Sequence, residues 1–387
     1  MRVCDPLLPV LAVEFDSTLS AAAATTTGFA LAYGSTQLFF GVLGDRVGRL
    51  PVIVVAIAIA AAASAACALA PSLDRLIYAR IATGAFAAAA IPLSLGWIGD
   101  NVPFGDRQPV LARYLIGQML GMTGGQIGGG ILSDLVGWRF AFWAIAVTFA
   151  GAAAMLLRSM RRAAAADKDV LADGSERATV ETDAAESFGF VRQSRLLVAD
   201  RWALIVIGAV TLEGVLLFGS VALVASYLQH AFGATPSLAG TVSALFGLGG
   251  IFYALNARRL LARLRASGLC RLGGGLIALA MGVLLLQTDW QPAVAATLMA
   301  GLGYYMLHNT LQTQATQLSI AARGAAIAWF ATGLWLGQAV GVAVAAAVAE
   351  RFGFPAVFMA TAAGLALLGF AFGRALESHQ PRLRPVS

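Results

Sequence analysis

Apolar residues run through this chain in blocks of about twenty, and polar residues gather in the short breaks between them. A helix rises ~1.5 Å per residue, so ~20 apolar residues cover the ~30 Å hydrocarbon core of a bilayer. Windows of roughly 19 residues predict helices over Val3 to Val13, Ala21 to Leu43, Pro51 to Ala70, Leu76 to Ile98, Tyr114 to Leu132 and Phe140 to Leu157. After a longer polar break six more are expected, over Trp202 to Leu228, Leu238 to Leu255, Leu272 to Gln287, Pro292 to Leu311, Ala325 to Ala349 and Ala356 to Phe372. The expected fold class is an all-α polytopic membrane protein with twelve transmembrane helices. The first is short. From Val3 to Val13 it makes about 17 Å of helix, so it reads as truncated, and a start upstream of Met1 is expected.

The long break divides the chain into a six-helix bundle over 1–157, a linker over 158–200, a second six-helix bundle over 201–374 and a tail over 375–387. The linker mixes Arg158, Arg161, Arg162 and Lys168 with Asp167, Asp169, Asp173, Glu176, Glu181, Asp183 and Glu186. That composition leaves little apolar surface to bury, so a mobile connector with an Ala-rich, helix-capable beginning is expected.

The two halves repeat each other. Gly117-Gln118-Met119-Leu120-Gly121 in the fifth span matches Gly337-Gln338-Ala339-Val340-Gly341 in the eleventh. Downstream, Asp134, Gly137 and Phe142 parallel Glu350, Gly353 and Phe358. Pseudo-symmetric bundles follow from this. Glycines at 117, 121, 125 and 129, and at 333, 337 and 341, recur every fourth residue along one helix face, where small residues let a neighbouring backbone approach.

Composition excludes several functions. With 59% hydrophobic and 12% charged residues, the chain cannot coat a water-soluble globule of this size. Cys4, Cys67 and Cys270 lack metal-ligand spacing, so neither a zinc site nor a disulfide framework is expected. The single lysine, Lys168, follows no Gly-rich loop, which removes a P-loop. Gly124 to Gly129 lacks the preceding strand that a dinucleotide fingerprint needs. No cofactor and no enzyme activity are expected, because no acid pair, metal cluster or activated nucleophile is seen.

The net charge of +6 reflects topology rather than a nucleic-acid partner. Counted over alternate breaks, twenty-two arginines and lysines fall on one side, from Arg2, Arg46 and Arg49 to the tail, and three, Arg75, Arg139 and Arg351, on the other. The positive-inside rule makes the crowded side cytoplasmic, together with the central linker and the C-terminus.

Ionisable residues within the spans are few. Asp5, Arg80, Glu213 and His308 occupy the first, fourth, seventh and tenth spans, the first and fourth of each repeat. A charge at the bilayer centre costs about 2.5–3.5 kcal/mol on the lenient scale, so such groups face a wet cavity or a partner. These four are the candidate proton-coupling residues, with Glu213 the most deeply placed. Tyr304, His308 and Gln312 form a stripe at i, i+4 and i+8, flanked by Tyr305 and Asn309, a surface suited to an organic ligand. Between the second and third spans, Gly41, Gly44, Asp45, Arg46, Gly48 and Arg49 form a polar turn that reads as a conformational gate.

These residues together resemble the major facilitator superfamily, and within it the drug or sugar efflux branch of proton antiporters, typified by arabinose-efflux-permease-like proteins. The turn at 41–49 matches the signature between the second and third helices, and Arg80 with Gly84 resembles the fourth-helix motif. Gly121, Gly124, Gly125, Gly128 and Gly129 resemble the antiporter motif, with Gly125 where proline is usual. Asp5-Pro6-Leu7-Leu8-Pro9 resembles the end of the family's first helix. The resemblance implies a monomeric secondary transporter in the bacterial cytoplasmic membrane, exporting a small organic compound in exchange for protons. It also implies that Asp45 engages the cytoplasmic end of the eleventh helix while Arg46 and Arg49 pair with nearby acids. A proton-coupled uptake symporter and a non-transporting sensor or scaffold of the same fold remain open alternatives.

Overall fold

The computed structural model describes residues 2–172, 186–318 and 323–379. A chain that crosses lipid must satisfy its backbone within itself, which helices do without a partner strand. Among the described residues there is no strand. A 3-10 turn (Arg2–Leu7) enters α1 (Leu8–Glu14), followed by α2 (Leu19–Val47), α3 (Arg49–Ala68), α4 (Leu73–Ala87), α5 (Ala90–Asn101), α6 (Phe104–Val136) and α7 (Trp138–Ala172). Then come α8 (Glu186–Ala199), α9 (Arg201–Glu213), a π turn (Gly214–Phe218), α10 (Gly219–Phe232), α11 (Pro236–Leu286), α12 (Pro292–Gln317), α13 (Arg323–Phe352) and α14 (Phe354–His379).

Seven helical segments among the described residues are long and apolar enough to cross a membrane. One of them, α11, joins the eighth and ninth spans across Arg265, whose φ of 57° breaks the helical path. The remaining long helices, α2, α6 and α12, carry Thr25 to Thr27, Gln118 with Gln126, and the Tyr304 to Gln312 row. Those polar residues lower their hydropathy, and α2 and α6 lie where the halves meet.

In the first half α3 packs on α7 and α4, and α2 on α4; in the second, α11 packs on α12 and α14, and α9 on α13. Two seams join the halves, α2 along α13 and α6 along the beginning of α11. Under the repeat α6 corresponds to α13 and α2 to the beginning of α11, so each seam is the image of the other. The end carrying Gly48 and the basic breaks is called the basic end, and the opposite end, carrying Gly137, Gly233 and Gly353, the far end. Leu7, Leu8 and Leu11 pack with Leu223, Val342 and Ala346 in a core shared by both halves.

Several boundaries differ from the sequence reading. The fourth span breaks at Ala88 and Ala89 into α4 and α5. The fifth begins at Phe104, ten residues before Tyr114, because i→i−4 bonding continues beyond the apolar window that hydropathy detects. Likewise α7 runs into the expected linker as far as Ala172. Residues 186–199, expected to be mobile, form α8, where Leu197 is buried with Ala203, Ala325 and Ala326 and Ser194 accepts from Trp329 Nε1 at 2.9 Å. Mixed charge concealed an apolar edge there. Positions 173–185 of the linker and 380–387 of the tail lie outside the described residues.

The polar turn also differs. α2 stays helical through Val47, and Gly48 alone reverses the chain, with φ 97° and ψ 138°. A Cβ makes that backbone costly, so Gly48→Ala is expected to lose about 1–3 kcal/mol, read as a lower Tm in detergent.

Candidate functional site

Glu213 is the last residue of α9, and the π turn follows it directly. Such turns occur often at functional sites. This one is held by backbone contact with α13: a Cβ at Gly337 would lie 2.2 Å from the Thr211 carbonyl oxygen, and one at Gly341 2.1 Å from that of Val215. Within the turn the Leu216 carbonyl accepts from Thr361 Oγ1 of α14 at 3.0 Å. A side chain thereby satisfies a backbone group inside the irregular turn.

Glu213, fully buried, reaches across to α12, where its Oε2 lies 2.7 Å from His308 Nδ1. Its Oε1 makes no hydrogen bond among the described residues. Tyr304 stacks on the imidazole at 4.8 Å between ring centroids, and Phe330 lies at 5.3 Å. Carboxylate and imidazole thus share one hydrogen bond inside the bundle. One proton gives a neutral pair, either ionised or shared, and loss or gain of a proton leaves a net charge in a low-dielectric site.

Along the α12 face, exposure rises from buried Tyr304 through part-buried His308 to exposed Gln312. The face therefore opens toward the basic end. Tyr305 and Asn309 point toward α11, the first lying over Gly250 and the second donating to Tyr253 Oη at 3.4 Å. Cross-half hydrogen bonds run from Gln37 Nε2 to Thr332 Oγ1 at mid-depth to Gln229 Nε2 with the Pro6 carbonyl nearer the far end.

Of the four ionisable residues, Glu213 and His308 meet directly. Asp5 is buried beside Arg2 Nη1 at 3.4 Å and accepts from Gln126 Nε2 at 3.2 Å. Arg2, counted among the basic-side residues by sequence, is 5% exposed and sits inside the bundle, its guanidinium 5.0 Å from the Phe218 ring. Phe218 meets Tyr304 at 5.4 Å, so aromatic rings link the Asp5 group to the Glu213–His308 pair. Arg80, 1% exposed, stays within the first half, its Nε 3.4 Å from the Thr25 carbonyl and its guanidinium 4.3 Å from the Phe29 ring. Sequence reading missed Arg2, Gln126 and Phe218; the i, i+3 spacing of Arg2 and Asp5 was the available signal.

At the basic end Arg49 bridges Asp45 at 3.2 Å and Asp100 of α5 at 3.0 Å. Its guanidinium lies against Gly96, where a Cβ would come within 2.0 Å of Nη1. Among the described residues Asp45 pairs with Arg49, and Arg46 is exposed. Gly44 meets Leu93, while Gly41 has open space around it. Gly96 and Asp100, absent from the sequence motif, complete this site.

The glycine stripes also part company. Gly337 and Gly341 touch α9 and the π turn, but a Cβ at Gly117, Gly121 or Gly125 would meet nothing within 4 Å among the described residues. In the first stripe Gly129 makes the close contact, with Val3. The Arg2–Leu7 turn meets α6 near its Gln126 and Gly129 level, whereas α9 and the π turn follow α13 past successive glycines.

Two six-helix halves around a polar seam define a polytopic membrane transporter fold. The model of the Major Facilitator Superfamily matches residues 2–319 and, again, 216–386, and the chain belongs to that family. Efflux pump radE of Floropilus chiversii is 26% identical over 144 residues, 37% of this chain and 27% of that protein. Citrate exporter 1 of Aspergillus niger is 28% identical over 151 residues, 39% of this chain and 28% of that protein. The chain thus matches less than a third of the length of either relative. A bacterial homologue of the human lysosomal transporter Spinster, in an inward-facing and unoccupied conformation, shares the fold with TM-score 0.70 at 18% identity, covering 97% of this chain and 91% of that one. The nucleoside transporter NupG gives TM-score 0.74 at 13% identity, covering 96% and 95%.

Proposed function

We propose that this protein is a secondary transporter that exports a small organic compound in exchange for protons by alternating access. The buried Glu213–His308 pair, set beside the aromatic and amide row of α12, carries this reading. Changing the pair's net charge is costly while it is sealed in protein and lipid and cheaper once water reaches it. Proton loss or gain therefore favours the conformer that opens the site. The basic end is cytoplasmic under this reading, so the present conformer opens inward. Export is favoured over uptake by the efflux and exporter names of the relatives above. The membrane is taken to be the bacterial cytoplasmic membrane, and the working unit a monomer.

Reconstitution into liposomes with an internal pH dye, screened against a library of organic compounds, tests this. Exchange appears as substrate and proton moving in opposite directions. Movement in the same direction supports the symporter, and no flux across the library supports the sensor or scaffold.

Asp45 and Arg49 act as the gate in this scheme. Asp45 stays with Arg49 in the inward conformer and moves to the amide end of α13 when the basic end closes, where a carboxylate is favoured by about 0.3–1 kcal/mol. Asp45→Asn is expected to abolish flux with normal expression. Wild-type flux in that variant removes the gate assignment.

A further inference from the structure

The two helices that begin at the far end of each seam start in the same way. Thr18 caps α2, its Oγ1 accepting from Ala21 N–H at 3.2 Å, and Thr235 caps α11, its Oγ1 accepting from Leu238 N–H at 3.2 Å. In each helix the amide just before that one, Ser20 or Ser237, is left for another acceptor. The opposite half supplies it. Ser20 N–H donates to Glu350 Oε1 at the end of α13, and Ser237 N–H donates to Asp134 Oδ2 at the end of α6, the latter at 2.8 Å.

These acids occupy equivalent places in the internal repeat, and so do the two threonine-capped starts. Small residues allow the approach. A Cβ on Gly130, one turn before Asp134, would lie 2.3 Å from the Pro236 carbonyl oxygen, and the residue one turn before Glu350 is the buried Ala346. Negative charge at a helix N-terminus is held both by its free amides and by the helix dipole.

We propose that Asp134 and Glu350 form a twin latch that holds the far end closed, each acid completing the amino terminus of a helix in the other half. The inference rests on the alternating-access reading. When the halves rock apart at this end both bonds must break together, while the threonine caps, being local, survive. The latch therefore acts on one conformer only, which is the requirement for shifting a two-state equilibrium.

Double electron–electron resonance tests it without any substrate. Spin labels at Arg75→Cys and Thr288→Cys, exposed far-end sites in opposite halves, are placed in a background lacking Cys4, Cys67 and Cys270, with the protein in lipid nanodiscs. Asp134→Ala and Glu350→Ala are each expected to raise the long-distance population, and their combination by the product of the single effects, about three- to thirty-fold in all. Thr18→Ala is expected to lower the Tm without moving the distances, because that cap is intact in both conformers. Asp134→Glu is expected to restore much of the closed population. A double variant with the wild-type distance distribution overturns the latch, as does a Thr18→Ala distribution that shifts as far as the double variant. A shift in distances with no flux for any compound keeps the latch and removes the transport reading. Flux with no shift does the reverse.

Discussion

Glu213→Gln is expected to end proton-driven accumulation while leaving substrate exchange across proteoliposomes intact. Glutamine has the size of glutamate, and its amide oxygen can still accept from His308 Nδ1, so the packing of α9 against α12 survives. What disappears is the fully buried carboxylate whose protonation changes the net charge of its pair with part-buried His308. Catalysed counterflow needs only alternating access, whereas concentrative transport needs the proton to be bound and released once per cycle. Concentrative flux should fall to background, on the order of a hundredfold for a general acid–base group, with counterflow within about a factor of three, a difference of roughly 0.65 kcal/mol. Equal loss of both activities would assign Glu213 to packing or to substrate contact instead.

The second large effect concerns the glycine stripes, where equal sequence has unequal consequences. Gly341→Leu is expected to prevent stable folding, since the carbons beyond its Cβ must also enter a contact where a Cβ alone lies 2.1 Å from the Val215 backbone oxygen. Gly341→Ala should cost about 1–3 kcal/mol, forcing α13 away from the π turn and disturbing Glu213 two residues upstream of Val215. Gly121→Ala, at the matching position of the repeat, meets open space and should be neutral or stabilising by about 0.5–1 kcal/mol. Thermal unfolding of the two alanine variants in one detergent checks the contrast. Similar losses at both positions would show that Gly121 is in contact after all.

Much of the fold was legible because lipid simplifies the code. Apolar length marks the spans, and the repeat of Gly117–Gly121 in Gly337–Gly341 marks the halves. The pairing of Glu213 with His308 was half legible: each stood out as an ionisable residue in an apolar helix, but their juxtaposition depends on how α9 crosses α12. The π turn left no periodic signal, because one extra residue in a backbone ring is invisible to hydropathy. Arg2 misled the charge count, since a basic residue near a chain end looks like a surface anchor until packing places Phe218 and Asp5 around it. Arg49's second partner, Asp100, lies far along the chain and could be found only once α5 returned beside α3. The acids Asp134 and Glu350 were visible as repeat partners, yet the N–H groups that donate to them lie in the opposite halves, a relation that local sequence does not encode.

The Glu213–His308 pair is proposed to exchange a proton inside the membrane. Infrared difference spectroscopy of the reconstituted protein, titrated across pH with wild type and Glu213→Gln side by side, tests it most directly. A carboxyl stretching band that appears and disappears with pH in the wild type, is missing in Glu213→Gln and shifts in His308→Gln is the expected result. A band set that titrates identically in wild type and Glu213→Gln would contradict it.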